Sequence, residues 1–68
     1  MLDRNALKGI IVTEGLSQRK VASELGMTPE TFYRKMKAGV FGSDEIERMI
    51  SLLHIQDPVA IFFANPVN

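Results

Sequence analysis

The run Leu25-Gly26-Met27-Thr28-Pro29 constrains this chain more than any other stretch, because it makes one short helix stop and another begin almost at once. Gly26 follows an apolar residue at the point where a sharply ending helix needs positive φ, and a Cβ there costs roughly 1–2 kcal/mol. Thr28 offers a side-chain oxygen to the open N–H groups of the next turn, and Pro29 stands where a missing N–H and a fixed φ do no harm. Upstream, Val21, Ala22 and Leu25 share one face while Arg19, Lys20, Ser23 and Glu24 point elsewhere. Downstream, Phe32 and Met36 are four residues apart, and Met27 closes the seam from the turn. Ala22 is small enough to let the two helices cross closely. Stripes this narrow must pack against each other and against the rest of the chain.

The rest supplies what they need. With 68 residues, a single domain over 1–68 is expected, near the lower size at which a core holds without staples. A first helix is predicted over 3–14, with Asp3 as its N-cap, Ala6, Leu7, Ile10 and Ile11 as its buried face and Gly15 as its stop. Gly9 inside it costs roughly 1 kcal/mol relative to alanine, and either marks a close backbone contact or is a tolerated weak point. Leu16 staples the start of the second helix from outside. The loop Ala38-Gly39-Val40-Phe41-Gly42 is expected to drop Val40 or Phe41 into the core. Ser43 then caps a fourth helix, with Asp44 and Glu45 in its positive first turn and Ile46, Met49, Ile50 and Leu53 as its buried stripe. His54 reads as a helix-end residue. Asp57-Pro58 repeats the cap-then-proline start, so a short fifth helix is predicted over 58–63, followed by a frayed tail over 64–68. The expected class is all-α, a compact five-helix unit.

Several chemistries are poorly served. There is no cysteine and a single histidine, so neither a disulfide framework nor an ordinary structural zinc site is expected. Ser17, Ser23 and Ser43 lack the surroundings of an activated nucleophile, and no phosphate-cradling loop or metal-spaced acid cluster occurs. An enzyme, a metal or a cofactor is therefore not expected. The apolar runs 9–12 and 59–63 are too short to span a bilayer and the start lacks a signal-peptide layout, so no membrane role and a cytoplasmic setting are expected. Net charge is zero, which by itself argues against nucleic acid. Its distribution argues the other way: residues 18–38 carry Arg19, Lys20, Arg34, Lys35 and Lys37 against Glu24 and Glu30, whereas residues 39–68 carry Arg48 against Asp44, Glu45, Glu47 and Asp57.

The pattern Leu16-Ser17-Gln18, Val21-Ala22, Leu25-Gly26-Met27-Thr28 and Thr31-Phe32 resembles the helix-turn-helix of the Cro/CI-type (XRE-like) phage and bacterial regulators. The resemblance covers about a third of the chain. It implies a lambda-repressor-like fold with the motif in helices 2 and 3, and a transcriptional regulator that places residues 29–37 in the major groove of operator DNA. One departure stands out: Lys35 occupies a position that typical members fill with an apolar residue.

With Phe32 and Met36 inward, Glu30, Thr31 and Arg34 point outward, Tyr33 and Lys37 lie on one flank and Lys35 on the other. Carried onto these positions, the resemblance implies base reading by Pro29, Glu30, Tyr33 and Arg34, with Arg34 suited to bidentate contact with guanine. Glu30 either accepts from cytosine or orients Arg34 as an i,i+4 partner. Gln18 matches a glutamine that touches phosphate, and Arg19, Lys20, Thr28, Lys35 and Lys37 are further phosphate candidates. One copy reads only a few base pairs, so a weak homodimer on a two-fold site is expected. Among the apolar residues near the C-terminus, Ile61, Phe62 and Phe63 are the candidate dimer contacts, unless the core takes them. The alternative partner is another regulator protein, bound by the same fold acting as an antirepressor.

Overall fold

Side chains start most of the helices in this chain. In the computed structural model, which describes residues 1–64, Asp3 accepts from the Ala6 N–H at 3.0 Å, Ser17 from Lys20 at 3.1 Å, Thr28 from Thr31 at 3.2 Å and Asp57 from Ala60 at 3.3 Å. Each satisfies one of the donors that a helix start leaves open. The helices so begun are α1 (Arg4–Thr13), α2 (Gln18–Glu24), α3 (Pro29–Ala38) and α5 (Pro58–Phe62), with α4 (Ser43–Leu53) between the last two. No strand occurs among the described residues, so the chain is all-α with five helices, as expected. The tail expected to fray lies, apart from Ala64, outside the described residues.

The start of α4 differs from the expectation. Gly42, not Ser43, is the N-cap, and Ser43 is already helical. Glu45 does the capping in reverse, its Oε1 accepting the Gly42 N–H at 2.8 Å. A carboxylate three residues into a helix reaches back in this way whatever stands at the cap.

The ends of α1, α2, α3 and α4 follow one scheme. Gly15, Gly26 and Gly39 all adopt left-handed φ, near +75°, and the N–H of the next residue bonds back to a carbonyl of the last helical turn: Leu16 to Ile11, Met27 to Ala22, Val40 to Lys35. α4 closes likewise through Ile55 to Ile50, but its left-handed residue is His54, at φ 55°. A histidine in that region carries strain of roughly 1–2 kcal/mol. Its ring Nδ1 lies 2.9 Å from Glu14 Oε1, an exposed contact that recovers little of this. His54→Gly is therefore expected to stabilise the chain by roughly 0.5–1 kcal/mol, raising its melting temperature by about 2–8 °C. An unchanged or lower melting temperature would show that the Glu14 contact outweighs the strain.

The core draws on every helix. Leu7 and Ile11 of α1, Val21 and Ala22 of α2, Phe32 and Met36 of α3, Met49 and Leu53 of α4 and Phe62 of α5 are buried together with Leu2, Leu25, Phe41 and Ile55. Of the two apolar loop residues, Phe41 enters the core and Val40 remains exposed. Leu16 packs against this cluster from outside α2. Gly9 faces open space, so no close backbone contact explains it. α2 and α3 pack most closely, forming the helix-turn-helix, and α5 is tied back to the N-terminus by the Asp3 N–H on the Ile61 carbonyl at 2.7 Å.

Candidate nucleic-acid interface

The cap at Thr28 and the proline at the first position of α3 fix where that helix begins, and its buried residues fix how it is turned. Phe32 is fully buried, its ring tilted against Phe41 at 5.4 Å and edge-on to Tyr33 at 6.4 Å, while Met36 is buried one turn later. Glu30, Tyr33, Arg34 and Lys37 are left exposed. None of these four side chains makes a hydrogen bond or an ion pair with another described residue. Glu30 and Arg34 form no ion pair despite their i,i+4 spacing, so the orienting role open to Glu30 is not realised in the structure. Pro29 is half-buried beside them.

Thr28 is committed internally. Its hydroxyl oxygen takes the Thr31 N–H at 3.2 Å and its proton goes to the Thr31 hydroxyl at 3.0 Å. Lys20 lies 3.3 Å from Glu24 on the outer face of α2, an exposed i,i+4 pair of little energetic weight. Arg19 is exposed, with no such partner among the described residues.

Beside α3 lies a shallow depression of about 250 Å³ that gathers donors from three helices. Gln18 at the start of α2 and Lys37 of α3, both phosphate candidates, line it together with Tyr33, a base-reading candidate, and so do Arg4 and Lys8 of α1. Neither is among the sequence candidates, because both lie on α1, ahead of the charged stretch of the motif. Arg4 and Lys8 are i,i+4 and exposed, on the edge of α1 that adjoins the Leu7 and Ile11 face. Arg4 Nη1 also donates to the Lys37 carbonyl at 3.3 Å, tying α1 to the last turn of α3. A larger hollow of about 700 Å³ lies between α2 and α4, but its Glu24, Asp44 and Glu47 outnumber Arg48 and give it the wrong sign for phosphate.

Lys35 behaves differently from its neighbours. Its Nζ is 2.6 Å from Glu45 Oε2, and both side chains are largely covered. The Lys35 hydrogen bond, with the Gly42 N–H after it, holds the Glu45 carboxyl below its ordinary value of 4.5 against the opposing effect of burial. Because the folded-state value is the lower one, Glu45 stabilises the fold fully above that ordinary value, and the contribution is lost as pH falls through the folded value. The stability advantage of the native chain over Glu45→Gln, measured by denaturant titration, is therefore expected to shrink between pH 6 and pH 3. A constant difference would contradict it.

The C-terminal candidates separate. Phe62 belongs to the core and is not available for a dimer contact, because the short α5 turns it inward; Ile61 is half-buried, and Phe63 and Val59 are exposed. No described helix is long and apolar enough to cross a membrane, and no group of described side chains is placed to hold a metal ion.

Residues 11–39 match the family model described as bacterial regulatory protein, Fis family. The matched segment takes in the end of α1, all of α2, the turn and all of α3. No curated protein and no solved structure matches the chain. The match coincides with the helix-turn-helix and supports a bacterial DNA-binding transcriptional regulator; it does not single out the Cro/CI type.

Proposed function

We propose that this chain is a Cro/repressor-like regulator, bacterial or phage-borne, that acts in the cytoplasm by laying α3 along the major groove of double-stranded operator DNA. The observation that carries the reading is the exposed face of α3, where Glu30, Tyr33, Arg34 and Lys37 are uncommitted while the opposite face is locked by Phe32 and Met36. Arg34 reads guanine through its fork of donors, with Pro29, Glu30 and Tyr33 on neighbouring base edges. Gln18, Lys37, Arg4 and Lys8 follow one phosphate strand, with Arg19 and Lys20 adding contacts from the outer face of α2. Thr28, its hydroxyl proton given to Thr31, serves as a helix cap instead. Specificity comes from a weak homodimer spanning about one turn of DNA, roughly 34 Å, with Val59, Phe63 and the exposed part of Ile61 as its contacts. No catalysis and no cofactor enters this reading.

A second reading is favoured by the acidic hollow between α2 and α4, whose lining includes Leu25 and Leu52. In it the fold is an antirepressor that engages a basic partner regulator. A nuclear magnetic resonance titration with a short random duplex separates the two. The first reading expects amide shifts at residues 4, 8, 18–20 and 28–37 that fade as salt rises; shifts absent there at low salt leave only the second.

A further inference from the structure

Lys35 stands on the flank of α3 opposite Tyr33: at about 100° per residue it lies about 60° from Phe32 and about 100° from Met36. Its side chain is nonetheless largely covered. Glu45 meets it there, with Oε2 2.6 Å from the ammonium while Oε1 holds the Gly42 N–H at 2.8 Å. One carboxylate thus joins α3 to the first turn of α4 across the intervening loop. The Lys35 carbonyl is held as well, accepting the Gly39 N–H at 2.8 Å and the Val40 N–H at 3.1 Å. No other residue of α3 is fixed at both its backbone and its charged end.

We infer that the Lys35–Glu45 pair holds α3 at the rotation that Phe32 and Met36 set, so that Lys35 is a positioning residue adding no charge to the DNA contact although it stands on the recognition helix. This rests on the DNA-binding reading above. Rotation is the sensitive coordinate. Turning the helix by about 20° moves a side-chain tip about 8 Å from the axis by about 3 Å, whereas hydrogen bonds tolerate only a few tenths of an ångström. Phe32 and Met36 resist such a turn by packing alone. The ion pair adds a directional restraint on the adjoining edge of the helix, next in sequence to Arg34.

Two variants and two readouts test it. In Lys35→Met, which keeps an apolar stem, the slope of log affinity against log salt is expected to stay that of the parent. A phosphate contact made by Lys35 would instead lower the slope by about 0.9. In Glu45→Gln the freed ammonium is expected to steepen the slope by up to about 0.9, while preference for a selected duplex over a random one falls about fivefold or more. A loss of stability alone produces no steeper slope. Amide hydrogen exchange in the DNA-free chain, compared between α3 and α1, reads the pair without DNA: Glu45→Gln is expected to speed exchange selectively in residues 35–39. A shallower slope in Lys35→Met, an unchanged duplex preference in Glu45→Gln, or exchange that rises equally in α1 and α3 overturns the inference. If the parent chain binds no duplex, the DNA reading fails, and the exchange comparison still decides whether the pair positions α3.

Discussion

Phe32→Ala is expected to leave the chain without a cooperative unfolding transition at ambient temperature. A fully buried phenylalanine cut to alanine costs roughly 3–5 kcal/mol, through lost transfer energy and the cavity left behind. A folded chain of 68 residues has only roughly 3–10 kcal/mol in total. Phe32 is fully buried, and its ring meets Phe41 and Tyr33, so the loss falls where α2, α3 and the following loop converge. Where the parent is stable enough to survive, its melting temperature should drop by roughly 12–40 °C. Near-ultraviolet and far-ultraviolet circular dichroism check this, and a melting temperature within a few degrees of the parent would show that the motif does not depend on this ring.

Arg34→Ala is expected to have the largest effect on recognition and very little on folding. The side chain is exposed and forms no hydrogen bond or ion pair with other described groups, so its removal leaves the core alone. A bidentate arginine–guanine contact contributes roughly 1–3 kcal/mol of discrimination, about a five- to 150-fold preference. That preference should disappear at one position of each half-site while the others keep theirs. Lys37→Ala is the informative contrast. Removing a phosphate partner should weaken all duplexes alike and lower the salt slope by about 0.9. If both variants behave the same way, Arg34 touches only backbone.

Local chemistry made much of the fold legible beforehand. Asp3, Thr28 and Asp57 cap as expected, and Gly15 and Gly26 stop their helices as expected, because each signal acts within about one turn of itself. The signals that misled or stayed silent were those with competing or distant partners. Ser43 looked like a cap, but Glu45 made Gly42 serve instead. His54 carries no stop signal in its chemistry, and only the return of the chain from Ile55 to Ile50 places it in left-handed φ. Lys35 stood out as a departure, yet its partner lies beyond a loop and could not be named from spacing along one helix. Phe62 and Phe63 are neighbours of equal hydrophobicity, and only the short turn of α5 decides that the first is buried and the second exposed. Arg4 and Lys8 joined the candidate interface because the fold brings α1 beside Gln18 and Lys37.

The most direct test is to let the chain choose its own DNA from a pool of random duplexes at moderate salt, and then to repeat the selection with Arg34→Ala. The account predicts enrichment of a two-fold site whose half-sites contain a guanine, with preference at that guanine lost in the variant and retained elsewhere. No enriched site, or the same site recovered by both proteins with equal strength, would contradict it.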